Sequence, residues 1–358
     1  MIRLATIIDQ FGDDFIQTYQ KKLLPSHLKA LFAIKTCRTH HSPKMKMQCQ
    51  ECDHQEFVPH SCGHRHCPHC QNHESQQWIE RQLQKQVPAD YYMITFTLPA
   101  QFRALAWTNQ SLVYALMLKY VWETLKEFSA NDKELGGIPG AVAVLHTHSR
   151  ELTFHPHIHI VMPGATIDKK TRLWSKKSGK YLFNHKALAK VFRAKLLEAF
   201  SENHLKLPKS YPTKWVVDCR HVGKGDKALV YLGRYLYRGV IREKDILSCQ
   251  NGWVTFRYQK SKTKTYHTKT LPAIEFLWLV IQHILPRGFR RARDYGFLHH
   301  NSKTLIKILQ WMFKIDTGSW IAKMKERVPM LCACCGAKMT IVKTNIPNRF
   351  YPDRRLFI

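Results

Sequence analysis

The sequence predicts an α+β protein with a Cys-rich metal-binding module ahead of its main domain. Two patterns carry this expectation. Strand-like and helix-like runs alternate between residues 90 and 245, which points to sheet and helix layers around shared cores. Residues 37–73 are dense in Cys and His and poor in aliphatics, so that stretch needs a staple other than a hydrophobic core.

The elements follow from local pattern. Residues 1–36 have apolar positions at helical spacing, and residues 74–88 resume it after the Cys-rich stretch. Tyr91 to Thr97 is β-branched and aromatic and is closed by Pro99, so it reads as a strand. A long helix is expected over 104–129, strands over 141–145 and 157–162, and a helix over 186–202. A strand over 215–220 and a helix over 227–238 complete the run. The tail offers a strand pair (253–258 and 265–271), a basic cluster of Arg287, Arg290, Arg291 and Arg293, and a helix near 302–314. The expected organisation is a helical segment (1–36), a zinc-binding module (37–89), a main domain (90–245) and a basic C-terminal domain (246–358).

The chain has 358 residues, 44% of them hydrophobic, so two or three domains with sizeable cores are expected. Lys and Arg number 56 against 26 Asp and Glu, a formal charge of +30. A surplus that large calls for a polyanionic partner, and nucleic acid fits because each phosphate contact releases a counterion. The 11 cysteines are an odd count, which argues against a secreted disulfide scaffold. The stretch MIRLATIIDQFGDDF turns acidic where an apolar signal core would continue. No apolar run reaches the roughly 18 residues of a membrane span. A cytosolic chain with reduced, metal-competent thiols is expected.

Cys49 and Cys52 form one C-x2-C knuckle, and Cys67 and Cys70 another. Two knuckles supply four thiolates, a tetrahedral Zn²⁺ site of the closed, structural kind. Buried free thiols would be the competing explanation, but QCQECDHQ and HRHCPHC are too polar for it. Cys62, His64, His66 and His69 crowd the second knuckle as substitute ligands or packing groups. Cys332 and Cys335 make a third knuckle with no partner following it, so it borrows distant ligands or is only a turn. Cys37, Cys219 and Cys249 read as core residues.

Residues two apart on a strand share a face, so His157 and His159 project together while Ile158 enters the core. If the strand carrying His146 pairs with them as a hairpin turning around 149–154, residue 146 lies opposite residue 157. Cross-strand neighbours on one face lie about 5 Å apart at Cβ. His146 is therefore the first choice for a third ligand of a divalent metal, with Glu151 and then His148 behind it. A one-residue slip would turn His146 away.

Tyr231 and Tyr235 are four apart on the helix pattern YLGRYLYR, and Arg234 and Arg238 share an adjacent face. Guanidiniums beside phenols suit attack on a phosphate, because they hold the anion and favour the phenolate. Tyrosine can also store a broken phosphodiester as a covalent intermediate. Tyr237 points elsewhere and is expected to pack or touch DNA. Arg290 and Arg291 are further candidates for phosphate contact. An amphipathic core helix with snorkelling arginines is the competing explanation.

Five segments together resemble the rolling-circle transposases of the insertion sequence ninety-one family, within the His-hydrophobic-His (HUH) endonucleases. They are SCGHRHCPHCQ (61–71), FTLP (96–99), VLHTHSRELTFHPHIHIVMPG (144–164), YLGRYLYRG (231–239) and FRRARDYGFLHHNSK (289–303). The resemblance implies a central antiparallel sheet with flanking helices and the histidines on a middle strand. It implies Tyr231 and Tyr235 as nucleophiles, and His157 and His159 as ligands of Mg²⁺ or Mn²⁺. It further implies Cys49, Cys52, Cys67 and Cys70 as zinc ligands. The implied partner is the single-stranded DNA at the ends of a mobile element, with no membrane and no nucleotide cofactor, in the bacterial cytoplasm at the nucleoid. A plasmid or phage relaxase or replication initiator would share the chemistry but not the Cys-rich entry module. A non-catalytic zinc-dependent DNA-binding regulator would leave HPHIH and the tyrosines idle.

Overall fold

The computed structural model describes residues 2–39, 41–70, 72–168, 171, 173–237, 239–260, 263–315 and 329–346. Two helices open the chain, α1 (Leu4–Tyr19) and α2 (Pro25–Lys35), the second started by Pro25 in its first turn. The Cys-rich stretch holds a hairpin, β1 (Lys44–Cys49) and β2 (Gln55–Pro59), then α3 (Asn72–Leu83). The main domain runs β3 (Tyr91–Thr97), α4 (Arg103–Thr108), α5 (Gln110–Asn131), β4 (Ile138–His148) and β5 (Phe154–Pro163). It continues with β6 (Ala165–Ile167), β7 (Trp174–Lys176), α6 (His185–Glu202), β8 (Val217–His221) and α7 (Asp226–Tyr237). The tail adds β9 (Ile246–Gln250), β10 (Trp253–Gln259), β11 (Tyr266–Pro272), α8 (Ala273–Ile281), β12 (Ala292–Gly296), α9 (Lys303–Met312) and β13 (Met339–Ile346).

The architecture is α+β, around a seven-stranded antiparallel sheet ordered β7-β6-β4-β5-β3-β8, with β12 also paired to β4. Side-chain alternation divides β5 between the two faces. Ile158, Ile160 and Met162 enter a core with Tyr92, Ile94 and Phe96 of β3, covered by α5 and α6 through Leu118, Val121, Phe192 and Leu196. His157, His159 and Val161 face the other way, where α3, α7 and α9 cover Val142 and Val144. The histidine strand is thus a middle strand, as the resemblance implied.

The strand expected from residue 157 begins earlier, at Phe154, and runs through Pro156. The ladder slips there: His146 pairs with His157, but the next pair is His148 with Phe154. The bulge leaves Pro156 out of register, where its missing N–H costs no ladder bond. The helix expected over 104–129 is two helices, broken at Asn109.

The expected C-terminal domain is not a separate body. Strand β12 enters the main sheet, while α8 packs against α1 and α2 in a core that includes Ile7, Phe15, Phe276 and Val280. Strands β9, β10 and β11 form a three-stranded sheet against that core. Strand β13 pairs with β1, completing the sheet β13-β1-β2. The N-terminal helices and the Cys-rich module are therefore finished by residues from the far end of the chain. Among the described residues no helix is long and apolar enough to cross a membrane.

Candidate active site

The β4–β5 hairpin has the register that brings three histidines onto one face, with His146 opposite His157 and Val144 opposite His159. Ring centroids lie 4.3 Å apart for His146 and His159, 4.9 Å for His157 and His159, and 5.2 Å for His146 and His157. One ring nitrogen from each lies within 4.8 Å of the others. The rings are oriented from behind. Nδ1 of His157 is 2.6 Å from the His155 carbonyl and Nδ1 of His159 is 2.9 Å from Thr95 Oγ1, which leaves each Nε2 for the site. Nε2 of His146 is buried with no hydrogen-bond partner. An orphaned nitrogen facing two others is the arrangement a divalent ion would satisfy. Burial pushes all three histidines down, His159 to about 4 and His146 and His157 well below their ordinary value, so neutral ligand nitrogens are available at neutral pH. Glu151 is exposed in the turn and His148 turns away towards Tyr235 and His283, so neither joins the cluster.

Helix α7 lays both tyrosines over these rings. Tyr231 is 46% exposed, with its ring centroid 6.2 Å from that of His159 and 6.4 Å from that of His146. Tyr235 stacks face to face on His146, centroids 3.2 Å apart and planes at 12°, and also on His148 at 4.9 Å. Its hydroxyl is enclosed without a well-formed hydrogen bond, beside the Thr147 and His148 amides. Burial raises both phenols above their usual range. The Arg150 charge opposes this at Tyr231, and the Arg291 charge does so at Tyr235.

Of the expected arginines among the described residues, Arg291 is the one in contact with a tyrosine. Its guanidinium lies 5.3 Å from the Tyr235 ring centroid and donates to the Leu236 carbonyl at 3.3 Å. Arg234 is exposed on α7. Arg238 and the side chain of Tyr237 lie outside the described residues. Arg290 is exposed and lines a groove of about 680 Å³ along β12, with Arg293, His299, His300 and Trp78. Sequence reasoning missed Arg150, Thr95, and Arg103, which reaches His155 at 3.4 Å. The only available signal was Arg150's place in the turn of the histidine hairpin.

The cysteines regroup. The expected quartet of Cys49, Cys52, Cys67 and Cys70 is not one site. Cys67 and Cys70 join Cys37 and Cys62, while Cys49 and Cys52 join Cys332 and Cys335. In the first group the Cys37 sulfur lies 3.1 Å from that of Cys70 and 3.5 Å from that of Cys67. Cys37 is therefore a member of a metal-type cluster and not a bystander in the core. The physical reason is that β1 and β2 carry the first knuckle onto β13, away from the loop holding the second. The nearby histidines are engaged elsewhere. His69 meets Glu243 at 2.8 Å, and His66 Nε2 accepts the Leu285 N–H at 3.4 Å.

A family model described as a transposase zinc-binding domain matches residues 7–98, and one described as a putative transposase matches residues 140–304. A putative transposase, y4qJ, of Sinorhizobium fredii is 30% identical over 82% of this chain and 80% of its own. The transposase for insertion sequence element IS801 of Pseudomonas savastanoi pv. phaseolicola is 26% identical over 80% of this chain and 76% of its own. Among solved structures, the conjugative relaxase TrwC in complex with oriT DNA is similar at 15% identity over 63% of this chain and 72% of that one, with a TM-score of only 0.27. The cysteines of the N-terminal module fall inside the first family model, and the histidine hairpin and tyrosine helix inside the second. The chain belongs to the rolling-circle transposases of the insertion sequence ninety-one family, enzymes that act on DNA.

Proposed function

We propose that this transposase cuts single-stranded DNA at the ends of its element by attack of the Tyr231 phenol oxygen on a phosphate. The observation that carries this reading is the half-exposed Tyr231 ring set 6.2 Å and 6.4 Å from two rings of the histidine cluster. The phenol oxygen forms the new P–O bond as its proton leaves to solvent. The P–O3′ bond breaks, and the departing oxygen takes up a proton as a free 3′-hydroxyl. The products are a 5′-phosphotyrosine and a strand end. The new ester conserves the energy of the broken bond, so no nucleotide hydrolysis is needed for rejoining.

His146, His157 and His159 would hold Mg²⁺ or Mn²⁺. Such an ion, when bound, polarises the phosphate and offsets its developing charge. Thr95 and the His155 carbonyl keep the rings aimed. Arg150 favours the Tyr231 phenolate against the burial that opposes it. Tyr235, stacked and enclosed, would take the second strand end after its ring leaves His146. Zinc in the N-terminal module is structural, because four cysteines close its coordination.

The test is a labelled single-stranded terminal sequence incubated with protein and Mn²⁺. A covalent protein–DNA adduct should form, and peptide mass spectrometry should place the phosphate on Tyr231. Tyr231→Phe should abolish the first adduct while retaining DNA binding. An adduct at wild-type yield in the Tyr231→Phe and Tyr235→Phe double variant would reject both nucleophiles.

A further inference from the structure

Six cysteines lie within the zinc-binding family match at residues 7–98, namely Cys37, Cys49, Cys52, Cys62, Cys67 and Cys70. Four of them complete one cluster among themselves, which leaves Cys49 and Cys52 to find ligands elsewhere. They find them at Cys332 and Cys335, beyond the reach of both family matches. The sulfurs of Cys49 and Cys335 lie 3.4 Å apart, those of Cys52 and Cys335 3.5 Å, and those of Cys52 and Cys332 3.7 Å. A tetrahedron with Zn–S bonds of about 2.3 Å has sulfur–sulfur edges of about 3.8 Å. A disulfide would need about 2.05 Å. The spacings belong to the first kind of centre.

The backbone around the sulfurs supports this. The amides of Glu51 and Cys52 each point at Cys49 Sγ from 3.4 Å, and the Cys334 amide at Cys332 Sγ from 3.4 Å. Such N–H donors stabilise thiolate over thiol. Gly336, at φ +73, closes the Cys332–Cys335 knuckle, with the Cys332 amide donating to the Ala337 carbonyl at 2.8 Å. The sheet β13-β1-β2 has almost no core of its own: Met47, Cys49, Cys332 and Met339 are buried, with Met45, Val58 and Ala337 beside them. A three-stranded sheet over so small a core needs another staple.

We propose that the chain carries two structural zinc ions. The second is held by Cys49, Cys52, Cys332 and Cys335, and it docks the segment 329–346 onto the N-terminal module. Its ligands lie 280 and more residues apart in sequence, so the ion joins the two ends of the chain. Cys334 is exposed and lies outside the four-sulfur group, although it neighbours His54 and Cys332. The clamp does not depend on which tyrosine, if any, attacks DNA.

The experiment measures zinc per chain in the full-length protein by native mass spectrometry and by elemental analysis. Wild type should hold two ions, and the Cys332→Ser and Cys335→Ser double variant one. Cys334→Ser should keep both. The double variant retains the first cluster and the main sheet, so it should stay soluble, with trypsin cutting faster at Lys338. Should it prove insoluble, wild type loaded with Co²⁺ decides: absorbance in the thiolate-to-cobalt band should correspond to two tetrathiolate centres. A single zinc in wild type, two in the Cys332→Ser and Cys335→Ser variant, or cobalt absorbance for one centre alone would overturn the clamp.

Discussion

Replacing Gly233 by Ala should damage cutting far more than folding. Gly233 lies between the two tyrosines of α7, where that helix crosses α3. A Cβ added there would sit 2.2 Å from Ile79 Cγ1 and 2.9 Å from both Ile79 Cδ1 and Trp78 Cε3. Ordinary carbon contacts begin at about 3.5 Å, so the helices must part by roughly 1.3 Å or Ile79 must abandon its buried rotamer. The crossing is also tied by Ser75 Oγ, which donates to the Gly233 carbonyl at 3.0 Å. Overpacking of this kind costs about 1–3 kcal/mol, readable as a shift in the urea midpoint. The tyrosines move with the helix, and a displacement near 1 Å at a reacting group costs on the order of 10²-fold in rate. The assay is the initial rate of adduct formation beside the denaturation curve. Ile79→Ala alone should cost about 2–5 kcal/mol, and combined with Gly233→Ala it should cost less than the sum. A Gly233→Ala protein with wild-type midpoint and rate would refute the close crossing as the reason for glycine in this motif. So would strict additivity in the double variant.

Thr95→Val removes the hydroxyl 2.9 Å from His159 Nδ1 while keeping volume, and should weaken Mn²⁺ binding or cutting by about 10–100-fold; calorimetry with Mn²⁺ checks it. Arg65 donates to the carbonyls of Leu285, Pro286 and Phe289 at 3.2, 2.9 and 2.8 Å. Its replacement by Ala should lower the rate of adduct formation with zinc content unchanged, since it binds backbone and no metal. Stability should fall on acidification. His27 is buried, accepts the Leu24 N–H at 3.1 Å, and is pushed down by burial to about 4. The unfolded chain, titrating near 6.5, binds the extra proton first, so stability is complete above about pH 6.5 and declines as pH falls towards 4. Urea midpoints at pH 7.5 and 5 should differ, and by less in His27→Gln; equal midpoints in wild type would contradict the buried neutral imidazole.

The parts of the site written in short-range pattern were legible in the sequence. Alternation placed His157 and His159 on one face, and symmetric pairing placed His146 opposite His157, because register in a hairpin is set by its own turn. The i, i+4 spacing put Tyr231 and Tyr235 over the same rings. It did not distinguish them, since exposure depends on what packs above the helix: Tyr235 is enclosed by His146, His148 and Arg291. The cysteine pairing failed for a related reason. Knuckle spacing says that two sulfurs converge, not which knuckles meet, and Cys49–Cys52 meets one some 280 residues away. The unpartnered Cys332–Cys335 knuckle was the available sign. Strand β12 was hidden in a run of arginines whose composition signals a surface, although its backbone completes the main sheet.

That hidden strand explains how a late segment of the chain holds Tyr235 in place. The Arg291 carbonyl accepts the Leu145 N–H at 2.8 Å, which fixes residue 291 beside the strand carrying His146. Its guanidinium then crosses to the last turn of α7, meeting both the Tyr235 ring and the Leu236 carbonyl. A helix terminus has unpaired carbonyls and partial negative charge, so a guanidinium there both satisfies an acceptor and opposes the dipole. The segment leading into Arg291 is held in turn by Arg65, two residues from Cys67 in the first cysteine cluster. Metal-cluster loop, arginine, carbonyls, arginine and tyrosine helix thus form one contiguous set of contacts. Breaking the set at Arg65 would free the 285–289 segment while leaving the histidine hairpin paired on both sides. Loss of the cysteine cluster should therefore show first as misplacement of α7 over an intact histidine cluster, which would separate the structural zinc from the proposed histidine-held ion by where its loss is felt.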